Sequence, residues 1–310
     1  MGAIPKTWPE TAPDQRCPAC GPALAPHLAG ARDTISGETF AVSICPECGL
    51  GVTHPQPPDL APYYRTRYYG GRHSFTASLC LMRRKRLIAR AAGKPGRLLD
   101  VGCGDGSFLV AARTAGWAVA GTEIHAATSI PGCPIYRNLD EAQRQGQYDC
   151  ITMWHVLEHV PEPKACIVQL RSMLAPGGTL VVAVPDFGGW QARLFGRHWL
   201  HLDVPRHLHH FTAFSLGRML EGSGFEKFAG WHQEVEYDCF GWIQSALNAS
   251  GRVPNVLFDA LTGKQPLVSR LEVAANYLAG TAMAGPAIAL TLISTLARRG
   301  GTLIVAARVK

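Results

Sequence analysis

The run Arg97-Leu-Leu-Asp-Val-Gly-Cys-Gly-Asp-Gly106 constrains the fold of this chain more than any other segment. It reads as a buried strand breaking into a glycine loop, followed by a helix from Ser107 to Ala115 and a second strand from Trp117 to Glu123 that closes on a carboxylate. That succession is the first βαβ unit of a nucleotide-binding α/β sheet. Gly102, Gly104 and Gly106 are spaced G-x-G-x-G, not G-x-G-x-x-G as in the dinucleotide fingerprint. A pyrophosphate would also meet Asp100 and Asp105 at close range, where like charges repel. S-adenosylmethionine (SAM) suits the loop better, because it carries an ammonium and a sulfonium and no phosphate. Glu123 is then placed to accept charge-assisted hydrogen bonds from the ribose hydroxyls.

Further strands are expected at Pro134 to Arg137, Tyr148 to Trp154 and, after the Pro176-Gly177-Gly178 turn, Gly178 to Pro185. Helices are expected from Ser78 to Ala92 and from Lys164 to Leu174. Strands alternating with helices imply a parallel sheet covered on both faces, with ligands beyond the carboxyl ends of the strands. Asp100 to Gly106, Glu123, Asn138-Leu139 and Trp154-His155 all fall there.

Ahead of this core stand Cys17-Pro-Ala-Cys20 and Cys45-Pro-Glu-Cys48, each followed by a glycine that permits a tight turn around thiolate sulfur. Two such knuckles supply four soft ligands, so Cys17, Cys20, Cys45 and Cys48 are expected to hold a structural Zn²⁺ with no open position. Thr39 to Ile44 alternates like a strand between them, as in a zinc ribbon. The chain begins MGAIPKTWPETAPDQ, which lacks a charged segment followed by an apolar run. The expected compartment is therefore a reducing cytoplasm, its ten cysteines metal-bound or free.

The segments LLDVGCGDGSFL, VAGTEI, YDCITMWHVLEHVPEP and LRSMLAPGGTLVVAVP follow one another at suitable intervals between Leu98 and Val184. Together they resemble class I SAM-dependent methyltransferases, and in particular the ubiquinone-type O-methyltransferase branch. The resemblance implies an α/β fold, a Rossmann-like seven-stranded class I methyltransferase sheet with an N-terminal zinc ribbon and a helical insertion before the last strand. It carries cofactor roles to Asp100 and Gly102 near the methionine end, Gly104 beside the backbone, Glu123 at the ribose, and Leu139 with Asn138 or Asp140 near adenine. Cys103, Ile124, Trp154 and His155 complete the expected cofactor set. The expected organisation is a zinc ribbon at 14–54, a linker at 55–77, a SAM-binding core at 78–239, an apolar helical insertion at 240–300 and the last core strand at 301–310.

Methyl transfer to a hydroxyl needs a group to remove the proton, and histidine suits that task near neutral pH. His155 ends the fourth strand, and RHWLHLDVPRHLHHFT places five of the chain's twelve histidines after the fifth. The expected base is His207 or His155, with Asp203 orienting a histidine and Arg206 binding an anionic part of the substrate. The alternatives are that these side chains cap the helix expected at Thr212 to Glu221 or satisfy loop carbonyls and, ranked lower, that the cluster binds a metal. His155-Val-Leu-Glu158-His159 also matches the H-x-x-E-H pattern of a zinc protease, but such a site needs a helix with a third ligand, whereas this segment directly follows a buried strand.

The paired tyrosines at 63–64 and 68–69 are read either as covering a substrate pocket or as packing the ribbon. Arg83, Arg84, Lys85, Arg86 and Arg90 read as a solvated face or, alternatively, an anion-facing patch. Phe225 to Glu236 and Thr302 to Val309 suit the sixth and seventh strands, leaving a long interruption in which Val273 to Leu296 is uncharged and largely apolar. Both flanking strands join one sheet, so a single membrane crossing is excluded. Gly285-Pro286 would let two short helices return as a hairpin in lipid, with Arg252, Lys264, Arg270, Arg298 and Arg299 near the headgroups. The competing readings are a subdomain over the active site and a homodimer interface. A net charge of +7 favours an anionic partner. The expected acceptor is a small molecule or lipid, modified at oxygen, and the expected location is the cytoplasm or, peripherally, the inner face of a membrane. Ranked below it are an RNA methyltransferase whose ribbon grips nucleic acid, and a noncatalytic SAM-binding scaffold.

Overall fold

In the computed structural model, residues 16–64, 74–124, 130–251, 253–266 and 268–310 are described. Along the chain come β1 (Ala25–Arg32), β2 (Thr39–Ile44), β3 (Gly51–His54), α1 (Ser74–Ala92), β4 (Arg97–Val101), α2 (Ser107–Arg113), β5 (Ala118–Thr122) and β6 (Ile135–Tyr136). Next are α3 (Leu139–Gln143), β7 (Tyr148–Trp154), α4 (Pro163–Met173), β8 (Leu174–Pro185), α5 (Trp190–Phe195), β9 (His209–His210) and α6 (Ala213–Gly222). The last elements are β10 (Phe225–Trp231), α7 (Val235–Ser250), α8 (Val256–Leu261), α9 (Arg270–Leu296) and β11 (Thr302–Val309). They fall into two compact units, one of 1–74, 185–215 and 232–302, the other of 75–184, 216–231 and 303–310.

The second unit is built on a seven-stranded sheet in the order β10-β11-β8-β7-β4-β5-β6. β4 pairs in parallel with β5 and β7, β5 with β6, and β7 with β8, whereas β10 and β11 are antiparallel. Central parallel strands are covered on both faces and need continuous apolar runs. Leu98, Leu99, Ile151, Met153 and Val181 to Ala183 meet that need and are fully buried. Leu174 pairs with Tyr148 and Thr179 with Cys150, so the Pro-Gly-Gly turn expected ahead of the fifth strand lies within β8 as a register shift. The sixth strand stops at Trp231, short of the expected Glu236. Asp238 explains the stop, because its side chain accepts the amide of Glu234 at 3.2 Å and ties down the start of α7.

In the first unit β1, β2 and β3 form an antiparallel meander that carries the two cysteine knuckles. The sequence did not reveal its fourth strand. β9 pairs with β3, Gly51 opposite His210 and Val52 opposite His209, so part of the histidine-rich segment is sheet and not loop. Thr53 donates its hydroxyl to the carbonyl of His207 at 2.6 Å and lies 2.9 Å from His210 Nε2. Of the paired tyrosines, Tyr63 donates to Glu38 and sets its ring edge-on to Phe40, the packing reading; residues 68–69 lie outside the described residues, as does Arg252.

α7, α8 and α9 complete this unit around Trp242, Ile243, Leu257 and Ala287. α9 is one continuous helix through Pro286, not two short ones. Met283 and Ala287, on either side of the proline, join that cluster, and their packing offsets the hydrogen bond that proline removes.

Burial pushes the His210 imidazole well below its ordinary range, and His207 and His209 push it the same way. A folded-state pKa below the unfolded one means that the neutral ring contributes stability above about pH 6.5, the ordinary histidine value. That contribution is lost as pH falls below 6.5 toward the folded value. Thermal melts between pH 7.5 and 5 should show Tm falling with acidification, and His210→Gln should flatten that slope relative to wild type.

Candidate active site and thiolate cluster

The glycine loop lies at the carboxyl end of β4, where Gly102, Gly104 and Gly106 all take positive φ, at 67°, 55° and 72°. Side chains there would be strained, which explains the alternation of glycines. A Cβ on Gly102 would press into Val156 at 2.6 Å, whereas one on Gly104 would meet nothing within 4 Å, leaving open space beside the loop.

Acidic groups border that space. Asp100 is buried, and its carboxylate accepts the Thr152 hydroxyl at 2.6 Å. Glu123, just beyond β5, accepts the Gly104 amide at 2.9 Å. Cys103 is buried, and its thiol is pushed up to about 12, first by burial and then by Asp100 and Glu123. It is therefore a neutral packing group in a negative environment that a cation would relieve.

The remaining expected cofactor residues take different positions. Ile124 is exposed, on the rim. Asn138 caps α3, its side-chain oxygen accepting the Glu141 amide at 2.9 Å, and Leu139 opens that helix. Trp154 is buried against Phe108, with Arg84 over its ring at 4.7 Å, and its indole N–H has no partner among the described residues. Arg84 is itself buried, so the basic run on α1 is not wholly solvated.

His155 follows β7 with φ 56°, and its Nδ1 lies 3.5 Å from the buried carboxylate of Glu158. Its amide donates to Ala183 on β8 at 2.9 Å. Leu157–His159 is a single 3₁₀ turn, too short to set the two histidines of H-x-x-E-H on one face of an α-helix as a zinc protease needs.

His207, Asp203 and Arg206 belong to the first unit. His207 is buried with Nδ1 2.9 Å from the carbonyl of His201, and its Nε2 is 4.0 Å from Asp203. Arg206 is also buried, and its nitrogens go to Asp203, to Asp33 at 2.9 Å and to the carbonyl of Tyr63 at 3.1 Å. Asp203 and Arg206 line a cavity of about 170 Å³ together with Arg32, Arg197, His198 and Asn255. Sequence reasoning missed the aspartate at 33, because a bond between residues so far apart in the chain leaves no local signature.

The four cysteines of the knuckles converge. Cys17 and Cys48 sulfurs are 3.5 Å apart, as are Cys20 and Cys45, and Cys17 and Cys20 are at 3.6 Å. A tetrahedral zinc with Zn–S near 2.3 Å sets its sulfurs about 3.8 Å apart, so the donor set fits that ion. The amide of Cys48 points at Cys45 sulfur at 3.5 Å, as a thiolate ligand requires.

Arg206→Met should be among the most damaging single changes in the first unit, because it strands the carboxylate of Asp33 in the interior. A loss of about 3–5 kcal/mol is expected in urea unfolding, with Arg206→Lys recovering only part of it. Unchanged stability would show that the pair is not structural.

Residues 73–229 match a family model described as "Methyltransferase domain". Among curated proteins, the chain is 27% identical over 210 residues to "Ubiquinone biosynthesis O-methyltransferase" of Xanthomonas campestris pv. campestris (strain B100), covering 62% of this chain and 78% of that one. It is 28% identical over 149 residues to the protein of that name from Escherichia coli O157:H7, covering 43% of this chain and 62% of the relative. Among solved structures, a Burkholderia thailandensis 1,6-didemethyltoxoflavin-N1-methyltransferase aligns with 92% of this chain and 99% of its own at a TM-score of 0.47 and 14% identity. The family model spans the glycine loop, Glu123 and the turn after β7, and the chain belongs to the methyltransferase domain family as a SAM-dependent methyltransferase.

Proposed function

We propose that this chain methylates a hydroxyl oxygen of a small-molecule or lipid acceptor, with His155 as the general base. The observation that carries the reading is the alignment, within one unit, of the acidic loop with a histidine backed by a buried carboxylate at the ends of adjacent strands. The names of the curated relatives agree with oxygen as the atom modified and with an acceptor of the ubiquinone type. A lipid-soluble acceptor of that kind would bring the enzyme from the cytoplasm to the inner face of a membrane.

Bound SAM would supply a methyl group already activated on a sulfonium, so the protein's task is alignment, exclusion of water and removal of one proton. Asp100 and Glu123 would hold the donor, with Glu123, which accepts the Gly104 amide, offering its carboxylate to the ribose hydroxyls. Gly102 and Gly104 would admit it without side-chain clash, and Asn138 and Leu139 would lie near the adenine. His155 takes the acceptor proton on its imidazole, and the adjacent Glu158 carboxylate stabilises the imidazolium that results. His207, held by the His201 carbonyl with Asp203 behind it, is the second candidate for that role. Arg206 is assigned to orienting Asp203, since protein partners already occupy its nitrogens. The cysteine cluster would hold zinc as a structural clamp on the ribbon.

Incubating the protein with radiolabelled SAM and cell extract should carry label into the organic-solvent phase. Label confined to RNA would overturn the acceptor class. Glu123→Ala should weaken SAM binding about 10- to 100-fold by calorimetry, the equivalent of about 1.5–3 kcal/mol for charged hydrogen bonds. His155→Ala should lower kcat about 10²- to 10⁴-fold with SAM affinity intact; wild-type turnover in this variant and a loss in His207→Ala would transfer the base assignment.

Purified protein should contain one equivalent of zinc by elemental analysis. Stripping it with a chelator should lower Tm and free four thiols to a disulfide reagent, and Cys45→Ser should abolish retention of the metal.

A further inference from the structure

α9 is inside out. Its buried residues are Gly280, Ala287, Thr291 and Ser294, small or hydroxyl-bearing, while Leu271, Leu278 and Leu296 are 81%, 75% and 85% exposed and Ile288, Leu292 and Ile293 are each more than half exposed. A helix of a water-soluble domain buries its large apolar residues and shows its polar ones, the reverse of what is seen. Small residues toward neighbouring helices and leucine and isoleucine outward is the arrangement of helices solvated by lipid. Length and composition alone would let α9 cross a membrane, yet only a minor part of it is buried in the fold.

We propose that the outward face of α9 is a docking surface for an anionic lipid bilayer, on which the helix lies in the plane of the headgroups. Both ends of the helix are tied to the same unit, which rules out a crossing. At the carboxyl end, the carbonyl of Arg299 accepts the Trp190 amide at 3.0 Å, and Thr302 donates to the buried Asp238 at 2.8 Å. At the amino end, α9 follows α8, whose Leu257 packs into the same cluster as Ala287.

The occupant follows from the width of the face and its charge. On a wheel of 100° per residue, the exposed residues from Leu271 to Leu296 cover roughly 220° of arc. No charged residue lies between Val273 and Leu296. A second copy docking as a helix pair would cover a narrow seam and leave charged positions on its flanks, which this face lacks. A bilayer wets the whole arc. Cations bracket the apolar stretch instead, with Arg270 at one end and exposed Arg298 and Arg299 at the other. The helix is about 40 Å long, so these groups meet headgroups at both ends of an embedded stripe.

The proposal does not rest on the methyl-transfer reading, because attachment is scored without turnover. Full-length protein should be floated on density gradients with vesicles of phosphatidylcholine alone or mixed with phosphatidylglycerol. Wild type should rise with the anionic vesicles, rise less with the neutral ones, and lose part of its binding in high salt. Leu278→Glu/Leu292→Glu should bind the anionic vesicles at least tenfold more weakly. Ala282→Glu/Ala289→Glu, which changes only exposed small side chains, should do the same, with SAM affinity by calorimetry reporting an intact fold. Arg298→Ala/Arg299→Ala should lessen the preference for phosphatidylglycerol. Wild type left at the bottom of the anionic gradient, or either glutamate variant floating like wild type, would overturn the proposal. So would a dimer by light scattering that the glutamate variants dissociate while vesicles capture nothing.

Discussion

The contact on which the catalytic unit depends is the hydrogen bond from the Gly104 amide to Glu123. It joins the loop after β4 to the end of β5, and both partners are there because of the sheet. Parallel pairing of Asp100 with Gly121 and Val101 with Thr122 brings the two strand ends level. Gly121 lets them close up, since a Cβ there would sit 2.7 Å from Cys103 sulfur. The result is a loop of left-handed glycines with a carboxylate at either edge, placed by backbone geometry and made negative by the side chains of Asp100 and Glu123. Charge then decides the ligand. The carboxylates of Asp100 and Glu123, which also push the Cys103 thiol up, favour a cation beside the loop.

The other unit is organised around buried charge. Arg206 reaches back across the sequence to Asp33 in the ribbon and sideways to Asp203 in its own turn, which itself adopts φ 37°. An ion pair this deep earns little net stability, but it penalises any arrangement that separates its members. Together with the β3–β9 pairing, it makes the segment after β8 a part of the ribbon's fold. The histidines there are committed in turn. His210 faces Thr53, His207 faces the His201 carbonyl, and both rings are buried.

What was legible in the sequence was what is local. Strands β4, β5, β7 and β8 are apolar runs bounded by glycine or charge, and the cysteine knuckles carry their spacing openly. β9 was invisible because two residues have no periodicity, and its partner β3 lies about half a chain length away. The end of β10 was overrun because Val235 and Glu236 continue an alternating pattern, while the decision to turn belongs to Asp238, two residues further on. Gly285-Pro286 reads as a break in any window of sequence, yet the helix persists because tertiary packing at Met283 and Ala287 outweighs one missing hydrogen bond. The roles given to Asp203 and Arg206 were drawn from residue type alone. The partner that occupies the guanidinium lies at position 33, beyond the reach of pattern.

The same α9 shows why an apolar segment and a buried segment are different things. Its composition suits burial in a fold as well as contact with lipid, and the hydroxyls of Thr291 and Thr295, which bond back to the carbonyls of Ala287 and Thr291, let polar residues sit inward. Once hydroxyls satisfy themselves within the helix, the inner face needs no large side chains. Small residues then bring the backbone close to α7 and α8; a Cβ on Gly280 would lie 2.6 Å from Leu257. Tight packing on the inside is thus bought by moving leucine and isoleucine to the outside, and that exchange is favourable only where the outside is not water.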